Sequence, residues 1–260
     1  MDKARLIFIG VSVFAILVLY FGCDIVDPSI KNVESQRALS FQPTDFINIK
    51  RSVVQDMSTE KRNMIESLEF ALERAESEEE QVSLHKDLSR NWMQFGVPSL
   101  AGYHAEQVAE LEMTAEAWSI AGSTYSICYQ RSESEREATL CGNRSVASFE
   151  NAVSLEPNNL DYRLNLAVTL ADFPPSNNPM LGVTQLMELN RQNPDYVPAL
   201  YNLGRLAIQT GQYQRAVERL ERAFELEPDN RRVICLLPVA YIEVGDEISA
   251  ARFAELCQQE

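Results

Sequence analysis

The side chains in this 260-residue sequence best suited to bond formation, metal binding or proton transfer are five cysteines and two histidines. Cys128 and Cys141 are 13 positions apart in a polar stretch containing Ser132-Glu133-Ser134-Glu135. In an oxidising compartment they can be bridged, and closing a loop of about 14 residues is worth about 3 kcal/mol in the chain-entropy model. Two unpaired, buried thiols are the alternative. His85 and His104 are 19 residues apart, with no cysteine pair or carboxylate motif at ligand spacing around them, so the spacing predicts no metal site. Neither Gly-x-Ser-x-Gly nor His-Glu-x-x-His occurs, and the ten glycines form no phosphate-cradling loop. The sequence therefore predicts neither an enzyme nor a bound cofactor, and binding becomes the reading to pursue.

The charge balance narrows what can be bound. Asp and Glu number 38 against 23 Lys and Arg, a net charge of −15, and such a surface repels phosphate backbones and anionic headgroups. Nucleic acid is excluded as a main partner. With 45% hydrophobic residues the chain can bury a sizeable core.

The first 23 residues read as a membrane-targeting segment. Leu6 to Gly22 is a run of 17 uncharged residues preceded by Lys3 and Arg5, intermediate in length between a signal-peptide core and a spanning helix. The basic flank faces the cytoplasm by the positive-inside rule, which places the rest of the chain on the periplasmic side. Cys23 follows Gly22, and Tyr20-Phe21-Gly22-Cys23 resembles the lipobox of bacterial lipoproteins, although Tyr20 and Phe21 are bulkier than that pattern prefers. An uncleaved anchor and a lipoprotein acylated on Cys23 are thus both expected readings. Residues 24–57 lack sustained periodicity and read as a linker. In residues 58–81 Met64, Leu68, Ala71, Leu72 and Ala75 recur at helical steps, predicting an amphipathic capping helix; the run Glu76 to Glu80 is its solvated end or an acidic docking tract.

An internal period then emerges. Pro157, Pro194 and Pro228 close similar segments at separations of 37 and 34 residues. Between the last two lie Leu200, Leu203, Gly204, Ala207, Gly211, Tyr213, Ala216, Leu220 and Ala223. This pattern resembles the tetratricopeptide repeat, and the 34-residue spacing is that family's period. Small Gly204 and Ala216 allow helices A and B to approach, Gly211 ends helix A, and Pro228 separates one pair from the next. The register extends over about 82–114, 115–159, 160–196, 197–230 and 231–260. The unit at 115–159 carries eleven extra residues between Tyr129 and Asn143, and the unit at 160–196 three extra within Phe173 to Pro179. Pro238 falls inside the last helix A, where a kink is expected, and Cys235 and Cys257 fall at or beside packing positions.

The resemblance implies an all-α, right-handed α-solenoid of helix pairs whose concave groove takes a peptide of another protein. In this register Asn165, Tyr201, Asn202, Arg205 and Gln209 line it, with Leu164, Val168, Ser119, Ser123, Lys86 and Arg90 from preceding repeats. Asn165 and Asn202 recur at the position where groove asparagines of peptide-binding relatives bond a ligand backbone; local bonding or solvation is their alternative. Only Arg205 among the central helices suits a carboxylate clamp. The expected function is that of a membrane-tethered scaffold organising other envelope proteins, with self-association through an exposed C-terminal helix as the alternative; no oligomeric state is predicted.

Overall fold

The computed structural model describes residues 44–258; the Leu6–Gly22 run and Cys23 lie outside them. The chain divides into two compact units, Met1–Ile47 and Asn48–Glu260. Of the first, only residues 44–47 are described, and they open helix α1, Thr44–Asp56. No helix among the described residues is long and apolar enough to cross a membrane.

In the second unit the helices follow in series: α2 Thr59–Leu72, α3 Glu78–Gln94, α4 Pro98–Glu112, α5 Ala115–Arg131, α6 Glu135–Leu155, α7 Leu160–Asp172, α8 Leu181–Gln192, α9 Val197–Gln209, α10 Tyr213–Leu226, α11 Arg231–Val244 and α12 Glu247–Gln258. No strand occurs among the described residues. From α3 onward they form five antiparallel pairs, and α2 packs on α3. Each later helix packs on its chain neighbours, and α4 with α6, α5 with α7, α7 with α9 and α9 with α11 also touch, the pattern of elements laid side by side rather than bundled around one centre.

Local chemistry repeats with the pairs. Gly96, Gly211 and Gly245 adopt positive φ at the α3–α4, α9–α10 and α11–α12 turns. At each, the next residue donates its N–H five residues back: Val97 to Trp92, Gln212 to Ala207, Asp246 to Tyr241. That bond closes the left-handed cap which only glycine adopts without strain. After the B helices α6, α8 and α10 a second motif recurs, in which Asn159, Tyr196 and Asn230 donate to the carbonyls of Glu156, Asn193 and Glu227 across the three repeat prolines. Asn159 and Asn230 then cap the next helix with their side chains.

Three expectations change. Residues 44–56 of the expected linker are helical. The capping helix stops at Leu72, and the Glu76–Glu80 run starts α3 instead of ending α2. Ser77 accepts from the Glu80 N–H while the Glu80 carboxylate accepts from the Glu76 N–H, and three carboxylates in the first turn complement the positive end of the helix. The eleven extra residues of the second pair are not a loop: they lengthen α5 to 17 and α6 to 21 residues, leaving a short turn capped by Ser134. Pro238 lies inside α11 and gives no N–H to its ladder.

The core is a line of small-to-large contacts. Trp92, Tyr125, Leu186, Leu203, Leu220 and Leu237 are fully buried, one or more per pair. A Cβ on Gly204 would meet the Leu220 side chain at 2.7 Å, as the register expects of a close A–B approach. The tightest contact is elsewhere: a Cβ on Gly182 would lie 2.2 Å from the backbone nitrogen of Ala171, so α7 and α8 touch backbone to backbone.

Candidate partner-binding cleft

The A helices of the first two pairs, α3 and α5, form the walls of a cleft of about 1030 Å³ floored by α4. Met93, Ala105, Val108, Ala117 and Ile120 give it an apolar lining, and Ile120 keeps 55% of its surface exposed. An apolar concavity with a few polar groups at its edge is the usual form of a binding site. Charge is distributed by wall: Lys86 and Arg90 project from α3, Glu112 and Glu116 from the α4–α5 corner. Lys86 reaches Glu112 at 2.6 Å, and Arg90 pairs with Asp87 of its own helix at 3.0 Å. Both pairs are solvated and contribute little stability.

Behind the cleft, α4, α5 and α6 are joined by a buried polar cluster. Glu106, 8% exposed, accepts from the Tyr125 hydroxyl at 2.6 Å and from Arg144 at 2.7 Å. Burial and then the Glu106 charge push the Tyr125 hydroxyl well above its ordinary pKa, so it remains a donor. Burial, reinforced by Glu106, also raises the carboxyl of Glu110. Beside this cluster His85 of α3 and His104 of α4 bring their Nδ1 atoms to 3.0 Å. Burial, then His85 and Lys50, lower His104 to about 3, and burial lowers His85.

The residues expected to line the groove fall into two groups. Lys86 and Arg90 line the cleft. Ser119 and Ser123 share α5 with one wall of the cleft, and the others lie further along the stack. Leu164 belongs to the core, packed with Leu186, Leu189 and Leu203, and Val168 covers that cluster. Asn165 on α7 is half-buried, Ser119 half-buried and Ser123 exposed on α5. On α9 the Tyr201 ring carries the Arg232 guanidinium at 4.7 Å, Asn202 donates to the Pro198 carbonyl at 2.9 Å, Arg205 pairs with Asp172 at 2.9 Å, and Gln209 is exposed. Arg205 and Asp172 are each 23% exposed, so that cation is already neutralised within the chain. Met93 and Ile120 are the large apolar side chains of the A-helix walls that are absent from the sequence expectation. Their signal was a large apolar side chain one position off the core register, next to Ala121 and Trp92.

The four described cysteines are paired: Cys128–Cys141 joins α5 to α6 at a Cα separation of 5.8 Å, and Cys235–Cys257 joins α11 to α12 at 4.9 Å. The second bridge corrects the reading of Cys235 and Cys257 as packing residues. Antiparallel A and B helices bring position 235 opposite 257, a proximity that linear spacing conceals.

Residues 185–246, from α8 to just past α11, match the family model of the tetratricopeptide repeat. No curated protein matches the chain in sequence. Among solved structures, PilW, a widely conserved type IV pilus biogenesis factor, matches with a TM-score of 0.51 at 17% identity, over 68% of this chain and 76% of its own. MamA residues 41-end from Desulfovibrio magneticus RS-1 match with a TM-score of 0.47 at 18% identity, over 68% of this chain and 92% of that one. The likeness to PilW is one of fold.

Proposed function

We propose that this chain, whose residues 185–246 match the tetratricopeptide-repeat model, is a membrane-tethered scaffold which organises other envelope proteins by holding a peptide or helix of a partner against its A helices. One observation carries the reading: the cleft between α3 and α5 presents an apolar floor and a half-exposed Ile120 inside an opening rimmed by charges of both signs. Apolar contacts there supply affinity, and the charged rim selects the partner. Asn165, Tyr201, Asn202, Arg205 and Gln209 orient a partner that continues along α7 and α9. Arg205 takes a partner carboxylate only by exchanging it for Asp172.

The location on the outer side of a bacterial cytoplasmic membrane is part of the same proposal. It is supported by the Leu6–Gly22 run with its basic flank and by two disulfides, which persist in oxidising compartments. The bridges use the other four cysteines, and acylation of Cys23 would give the lipoprotein form with the same topology. A membrane-impermeant thiol reagent applied to cells with a permeabilised outer membrane should label a cysteine introduced at Ser123; labelling only after lysis reverses the topology.

A photo-crosslinking residue at Met93 tests the cleft. It should yield a discrete adduct in intact cells that falls about tenfold when Ile120→Glu is added and is unchanged by Ile248→Glu. Adducts indifferent to Ile120→Glu remove the cleft from the proposal. A second reading, self-association through the last pair, is favoured by Ile242 and Ile248, 62% and 86% exposed. Sedimentation of the detergent-solubilised chain separates the two, because that reading requires a mass that rises with concentration and falls with Ile248→Glu.

A further inference from the structure

The chain contains two histidines, on different helices, and both arrive at one point. Their Nδ1 atoms face each other at 3.0 Å, one ring largely buried, the other half-exposed. We propose that His85 and His104 form a bidentate site for a divalent first-row transition ion, with Cu(II) bound most tightly. The geometry carries this. Nitrogens held about 2.0–2.1 Å from a metal and 3.0 Å apart subtend an angle of about 91–97° at it. That is the cis angle of a square-planar or tetragonal centre, which Cu(II) and Ni(II) prefer; a tetrahedral ion needs the rings a few tenths of an ångström further apart. Cu(II) also heads the affinity order of nitrogen sites.

The proton balance is simple. In the empty pair one neutral ring donates from Nδ1 and the other accepts, so one proton lies between them. Binding requires both Nδ1 lone pairs; the donor ring moves its proton to Nε2, and no net proton is released. Because burial holds both imidazoles below their ordinary pKa, protons do not compete for these lone pairs near neutrality. The charged groups around the pair limit the affinity without preventing binding. The Lys50 ammonium opposes a cation near His104, but it is paired with Glu69 at 2.5 Å, and Lys86, adjacent to His85, is paired with Glu112. Tyr103 packs edge-on against the His104 ring. Among the described residues no group of three or more His, Cys, Asp or Glu is placed to hold an ion, so water completes the coordination. The half-exposed His85 admits it. Such an ion ties α3 to α4, the wall of the cleft to its floor.

The test uses the full chain carrying Cys23→Ser, so that no free thiol competes, titrated with Cu(II) and, separately, Zn(II). One equivalent of Cu(II) should bind at micromolar concentration, with electron paramagnetic resonance couplings from two imidazole nitrogens. The melting temperature should rise by several degrees and return with EDTA. His85→Gln or His104→Gln should each weaken binding at least about tenfold, in line with the loss of one of two protein ligands. If His104→Gln unfolds the protein, the half-exposed His85→Gln decides alone. Equal Cu(II) affinity in His85→Gln, or no binding below about 1 mM, overturns the site and leaves the pair a hydrogen bond between neutral rings.

Discussion

Among single residues, Glu106 has the most depending on it. Its two oxygens accept from Tyr125 and Arg144, and it is the point where α4, α5 and α6 meet. Glu106→Ala removes the acceptor of a fully buried hydroxyl and the carboxylate of a largely buried guanidinium, a loss of about 3–5 kcal/mol for a broken buried pair. Replacing both charges, Glu106→Leu with Arg144→Met, should recover most of that loss, since the pair's attraction only roughly offsets its desolvation. Urea denaturation of Glu106→Ala and of the double variant checks this. A double variant as unstable as Glu106→Ala would mean that the cluster contributes through other contacts of Arg144 and Tyr125. Gly182 is the other residue on which packing depends: Gly204 faces the movable end of Leu220, whereas Gly182 faces backbone, which cannot yield.

For elements, the second pair is the most informative. The two long helices α5 and α6 extend past the length of their neighbours and are bridged near the turn by Cys128–Cys141. With the cysteines 13 positions apart, removing the bridge by Cys128→Ala with Cys141→Ala should cost about 3 kcal/mol. Reduction with a phosphine should lower the melting temperature of the wild type and leave that of a variant lacking all four bridged cysteines unchanged; no shift in the wild type would show that neither bridge carries stability. This pair also marks where the sequence stops being legible. The helix pairs and their glycine and proline punctuation were readable because those residues act locally, through φ and a missing N–H. Serine and glutamate at 132–137 look like loop chemistry, but Ser134 with Glu137 is a helix start, and only packing against α5 decides between the two. The same ambiguity put the Glu76–Glu80 run at the wrong end of a helix. Pairings across helices, His85 with His104 and Cys235 with Cys257, depend on how A and B helices are aligned and leave no trace in linear spacing.

Across the whole molecule, cohesion passes from pair to pair, and α9 is a seam. Its Ala199 and Leu203 belong to the cluster with Leu164, Leu186 and Leu189, while its Leu200 and Ala207 belong to the cluster that runs on to Leu237 and Phe253. A stack of this kind has a stability that is roughly the sum of unit and interface contributions, so damage at one end need not travel to the other. The chain's two tryptophans make this measurable, because Trp92 on α3 and Trp118 on α5 report the first two pairs alone, while circular dichroism reports every helix. Leu237 is fully buried in the last A helix, and Leu237→Ala should cost about 2–5 kcal/mol there. In that variant the circular dichroism melt should gain an early limb from α9 to α12, while the tryptophan midpoint stays within about 2 °C of the wild-type value, as expected when only neighbouring units are coupled. If both probes instead shift together, the five pairs unfold as one cooperative body, and a partner seated in the α3–α5 cleft would stabilise the far end of the stack as well as its own.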